Sequence, residues 1–176
     1  VRGNIDVLGP AVTQYAYDVV GNLETETDAE GRVTVHEYDD ANRLETTTAP
    51  DNRAWTYDYD ANGNLDLKID ANGNSTPASG DGQTIYGYDV LNRLSSIDYS
   101  DSTPDVTFAY DANGNSTVMT DGSGVEGYTY DALNNLKTVT RGMTTFSYAY
   151  DIASNRTQTT YPDSTRDESM SAISPS

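Results

Sequence analysis

At 176 residues the chain has the length of one ordinary domain, yet Val, Ile, Leu and Phe fill only 29 positions and the formal net charge is −18. That charge, with only 10 scattered Lys and Arg, excludes recognition of a nucleic-acid backbone and disfavours an anionic membrane surface. The absence of Cys excludes disulfides and thiolate metal sites.

So little aliphatic surface leans towards disorder, but 14 Tyr stand against it, and their placement is regular. The opening residues, 1–14, read as the end of a preceding repeat, because Gly3-Asn4-Ile5-Asp6 echoes Gly63-Asn64-Leu65-Asp66. From residue 15 onward Tyr-Asp recurs in phase at Tyr17-Asp18, Tyr38-Asp39, Tyr59-Asp60, Tyr88-Asp89, Tyr110-Asp111, Tyr130-Asp131 and Tyr150-Asp151. The spacings are 21, 21, 29, 22, 20 and 20 residues, the 29 fitting one loop insertion at 75–82. Two residues before each phased Tyr stands another ring: Tyr15, His36, Tyr57, Tyr86, Phe108, Tyr128 and Tyr148. Residues two apart share one face of a strand, so each repeat carries a ring pair on one face. Stacking of these pairs from repeat to repeat would build a continuous tyrosine ladder.

Three residues after each Asp come Gly21, Asn42, Gly63, Asn92, Gly114, Asn134 and Ser154. This predicts a type I turn opened by Asp and closed by a residue in the left-handed region, with Ser154 the most strained. Leu23, Leu44, Leu65, Leu94 and Leu136 then open the return strand, with Ser116 and Arg156 as the exceptions. A second turn follows 10 to 12 residues after each Asp, as at Asp28–Gly31 and Asp121–Gly124. The expected fold is all-β, about fourteen short antiparallel strands, two per repeat. The array of seven repeats covers 15–165, and 166–176 reads as a degenerate or truncated repeat start, with Met170 in the ring position and Ala172 replacing the Tyr.

The stretch Asp58-Tyr59-Asp60-Ala61-Asn62-Gly63 imitates the start of a calcium loop, but the twelfth position is Ile69, where an acidic ligand is required. The turn reading covers all seven copies, so no metal and no cofactor are expected. His36 is the only His and fills a ring position, so it has no catalytic partners. No Gly-x-Ser-x-Gly elbow is present, and the many turn carboxylates read as a solvated rim. The sequons at Asn74, Asn115 and Asn155 arise from Asn turns followed by Thr-rich strands. No catalytic residue is assigned, and the chain reads as a non-enzyme.

The unit Tyr-x-Tyr-Asp-x-x-Gly-Asn-Leu closely resembles the YD repeat of the RHS family over residues 15–165. The family includes bacterial Rhs and wall-associated proteins, Tc toxin components and the teneurins. The resemblance implies a β-strip that spirals into a hollow shell, enclosing a C-terminal toxin in some members and acting as scaffold or adhesin in others. It implies a secreted or cell-surface protein whose partners are adjacent repeats or identical copies, with an encapsulated toxin or carbohydrate as further candidates, and neither nucleic acid nor membrane insertion. It assigns structural roles to Tyr17, Asp18, Gly21, Tyr38, Asp39, Asn42, Tyr57, Tyr59, Asp60 and Gly63. The same holds for Tyr86, Tyr88, Asp89, Asn92, Phe108, Tyr110, Asp111, Gly114, Tyr128, Tyr130, Asp131, Asn134, Tyr148, Tyr150 and Asp151. One departure stands out: the Asp-Pro pairs of the family's autoproteolytic segment are absent from this sequence.

Overall fold

The computed structural model describes residues 11–71, 82–162 and 167–169. The chain forms two compact units, Val1–Ile85 and Tyr86–Ser176. The first holds β1 (Gln14–Tyr17), β2 (Leu23–Thr27), β3 (Val33–Tyr38), β4 (Leu44–Thr48), β5 (Ala54–Tyr59), β6 (Leu65–Ile69) and the start of β7 (Gln83–Tyr88). The second holds the rest of β7, then β8 (Leu94–Tyr99), β9 (Val106–Tyr110), β10 (Ser116–Asp121) and β11 (Gly124–Tyr130). It continues through β12 (Leu136–Arg141), β13 (Thr144–Tyr150), β14 (Arg156–Thr160) and β15 (Asp167–Ser169).

In both units the strands lie in chain order. The pairing is antiparallel, as in β3–β4 and β11–β12. Regular turn chemistry explains this meander: apart from the β6–β7 and β14–β15 connections, each strand is followed within a few residues by a reversal, so its nearest partner is the next strand. The sequence pattern predicts about fourteen strands; the described residues form fifteen, the additional one being the short β15. The insertion at 75–82, apart from Gly82, and residues 1–10 of the expected repeat fragment at 1–14 lie outside the described residues, as does the ring position at Met170.

Among the described residues only Ala71 is buried. That accords with the aliphatic shortage: a single sheet layer has two open faces and no interior to fill. One face is nevertheless better covered. In β9 the half-buried Val106, Phe108 and Tyr110 alternate with exposed Thr107 and Ala109. The residue between the two rings is likewise exposed at Glu37, Asp58, Thr129 and Ala149. The ring pairs of β3, β5, β9, β11 and β13 therefore share the sheltered face, whereas Tyr15 and Tyr17 in β1 are exposed.

A bulge accompanies the ring pair. Tyr17 lies opposite Leu23 but Ala16 lies opposite Thr25, so Glu24 is the extra residue. The same step skips Glu45, Asp66, Thr117, Lys137 and Thr157 in the equivalent hairpins. As a result Leu44 opposes Tyr38 while Thr47, three residues on, opposes His36. An odd spacing thus reaches the same face, which plain alternation along the return strand does not anticipate.

Candidate functional site: the Tyr-Asp turns

All seven Asp turns close alike. The backbone N–H of the left-handed residue donates to the Asp carbonyl, at 3.2 Å for Gly21, 2.9 Å for Asn42 and 3.0 Å for Gly63. The Asp N–H donates to the carbonyl four residues on, as Asp39 does to Arg43 at 2.9 Å. Positive φ marks each left-handed position, Gly21, Asn42, Gly63, Asn92, Gly114, Asn134 and Ser154, with Ser154 at 62°. Only Gly is unstrained there, and Asn is the next best, so Ser154 carries the poorest side chain for its backbone.

The Asp carboxylate completes the turn. Asp60 Oδ1 accepts the backbone N–H of Asn62 at 2.9 Å and of Asn64 at 2.8 Å, and Oδ2 accepts the Asn64 side-chain amide at 2.9 Å. Asp18, Asp111, Asp131 and Asp151 repeat this arrangement with Asn22, Asn115, Asn135 and Asn155. Asp39 and Asp89 instead hold Arg43 and Arg93 in ion pairs of 2.7 and 2.6 Å. Hydrogen bonds from Asn64, side chain first and then backbone, hold the Asp60 carboxyl below its usual range. At Asp39 the Arg43 backbone N–H and then its guanidinium do the same. The calcium look-alike is therefore a turn whose Asp60 oxygens are already engaged, with Asp58 exposed and opposite Leu67. Among the described residues no group of three or more His, Cys, Asp or Glu is placed to hold a metal.

Four of the phased Tyr reach out of their own repeats. Tyr38 Oη donates to the Leu23 carbonyl at 3.0 Å, Tyr59 to Leu44 at 2.9 Å, Tyr110 to Leu94 at 2.8 Å and Tyr130 to Ser116 at 2.8 Å. Each acceptor is the first residue of the preceding repeat's return strand, so the hydroxyl bonds one repeat to the one before it. The first ring of each pair is more varied. His36 Nδ1 lies 3.1 Å from Thr47 Oγ1 across the strand pair. Tyr128 Oη donates to Glu126 at 2.7 Å, and that bond, with partial burial, pushes its phenol up to about 12. Tyr57, Tyr86, Phe108 and Tyr148 are half-buried in their strands.

The expected tyrosine ladder does not form. Rings do meet at Phe146 and Tyr161, centroids 6.0 Å apart, but neither occupies a ring-pair position. Spacing explains the failure: equivalent rings sit on every second strand, roughly 10 Å apart, beyond the contact range of two rings. Guanidinium groups fill part of the gap. Arg43 lies over the Tyr59 ring at 4.5 Å from its centroid and Arg93 over Tyr110 at 4.4 Å. These two Arg are absent from the sequence-derived set, although the repeated Asn-Arg-Leu at 42–44 and 92–94 carries the signal.

The sequence matches the model of the RHS Repeat family at residues 17–54, 38–75, 110–142 and 130–166, together more than half of the chain. No curated protein matches. Among solved structures, the chain is similar to TcdB2-TccC3 without its hypervariable C-terminal region, with a TM-score of 0.67 and 21% identity, covering 90% of this chain and 9% of that one. A TcdB2-TccC3-Cdc42 structure gives the same values. The Photorhabdus luminescens Tc holotoxin pore gives 0.67 and 21%, covering 89% of this chain and 9% of the other. At that identity the likeness shows a shared fold, and this chain spans only 9% of the length of those it matches. With the family match covering most of the phased Tyr-Asp turns, the chain belongs to the RHS repeat family.

Proposed function

We propose that this segment is structural wall material of a secreted or cell-surface bacterial protein, an array of seven YD repeats over 15–165 that pairs at its edges with further repeats or identical copies. The Tyr-to-carbonyl bonds between successive repeats carry this reading, because at Tyr38, Tyr59, Tyr110 and Tyr130 they make a repeat's fixed ring depend on its neighbour. The near absence of buried residues among the described residues supports it too, since such a layer gains most by continuing. In this reading the phased Tyr, Asp and left-handed residues are structural, and the chain performs no catalysis.

The fold shared with TcdB2-TccC3 favours a toxin-enclosing shell as the setting in which such a wall is used. A carbohydrate-binding module is the weaker alternative, because Tyr38, Tyr59, Tyr110 and Tyr130 spend their hydroxyls on backbone carbonyls. Size-exclusion chromatography with light scattering tests the edge pairing. A mass rising with concentration above 19.1 kDa is expected, and a concentration-independent monomer of that mass would contradict it.

A further inference from the structure

At four turns the residue after the left-handed position reaches the following repeat, and its identity covaries with what it meets there. Asn22 and Asn115 are each followed one repeat later by a left-handed Asn, at Asn42 and Asn134, whereas Arg43 and Arg93 are followed by Gly63 and Gly114. The contacts differ accordingly. Asn22 Nδ2 donates to Asn42 Oδ1 at 3.2 Å, and Asn115 Nδ2 to Asn134 Oδ1 at 2.9 Å. Arg43 and Arg93 instead cross to the next repeat and lie over its phased Tyr. Arg93 also donates to the Asp111 carbonyl at 3.2 Å.

Space contributes to the match at Gly63. A Cβ added at Gly63 would sit 3.8 Å from Arg43 Nη1, in ordinary van der Waals contact, so the longer side chain of an Asn there would compete with the guanidinium for its place between Asp39 and the Tyr59 ring. At Gly21, and at Gly114 beside Arg93, a Cβ would meet nothing within 4 Å, so of the three space constrains Gly63 alone. Conversely, an Asn beside Gly has no amide to bond. Where Ser154 follows Asn135, Asn135 bonds only its own Asp131, at 3.0 Å.

We propose that these two positions form a neighbour-matching surface on the turn rim: a repeat bearing Arg accepts a Gly-type repeat beside it, and a repeat bearing Asn accepts an Asn-type one. The partner it selects is another RHS repeat of the complementary type, so repeats in the array are not interchangeable. The device operates inside one chain, so it stands whether or not copies associate.

A mutant cycle in the 176-residue chain tests it, read as the thermal midpoint. Gly63→Asn should lower the midpoint by about 3 to 6 °C, while Gly21→Asn, with the same left-handed backbone and open space, should lower it by about 1 °C or less. Arg43→Asn should lower it by a few degrees, and adding Gly63→Asn to Arg43→Asn should bring it back to within about 2 °C of the parent by recreating the Asn22–Asn42 pair. If Gly63→Asn alone does not fold, a folded double variant supports the proposal equally. Equal effects of Gly63→Asn and Gly21→Asn, additive losses in the double variant, or a double variant that does not fold would overturn it.

Discussion

Tyr17 and Tyr59 hold the same place in their repeats, two residues after another ring and immediately before the turn Asp, yet their surroundings differ. Tyr59 is half-buried in β5, its hydroxyl on the Leu44 carbonyl and its ring under Arg43. Tyr17 is 61% exposed, and every residue of β1 is exposed with it. Both the carbonyl and the guanidinium that fix Tyr59 come from the preceding repeat. The unit of stability is therefore the junction between two repeats, and a repeat has its full contacts only on a neighbour's edge.

Acid should erase the contrast, with the largest effect expected, because it acts on the turns of every repeat at once. Hydrogen bonds lower the carboxyl pKa of Asp39, Asp60, Asp111 and Asp131. At Asp18 desolvation opposes the shift and the bonds from Asn22 outweigh it. A depressed folded-state pKa stabilises fully above the unfolded value of 3.8 and is lost as pH falls through the folded value. Circular dichroism should show a constant melting temperature from pH 7 to about 5 and a steep fall below about 4. A midpoint rising on acidification would contradict this assignment.

Single substitutions should sharpen the contrast. Tyr59→Ala should cost roughly 2 to 4 kcal/mol, less than a fully buried ring, and Tyr17→Ala less than about 1 kcal/mol, by urea denaturation. Tyr59→Phe keeps the ring and removes only the bond to Leu44, at about 1 kcal/mol. The smallest effect is expected at Ser154, where φ is 62°: Ser154→Gly should raise stability by under about 1 kcal/mol, relief of strain being partly offset by a freer unfolded chain.

Turn positions were legible in the sequence because their cause is local. Gly, Asn or Ser at the fourth turn position and Asp at the first are demanded by backbone geometry within five residues, and Leu44 or Leu65 opens its strand where the turn ends. What the rings touch was not legible, because that depends on strand spacing and on the bulge at residues such as Glu45 and Asp66. Period-two reasoning places Tyr57 and Tyr59 on one face correctly but passes over the intervening strand, so it predicts stacking where the structure puts Arg43 and a backbone carbonyl.

Hydrogen exchange followed strand by strand, at a concentration low enough for light scattering to find a monomer, tests most directly whether a repeat is held by its neighbour. Amides of β4 and β5, flanked on both sides, should exchange much more slowly than those of β1, whose described partner is β2 alone. Amides of β1 as protected as those of β5 would contradict the account, because a strand with one described partner would then be held as firmly as one flanked on both sides.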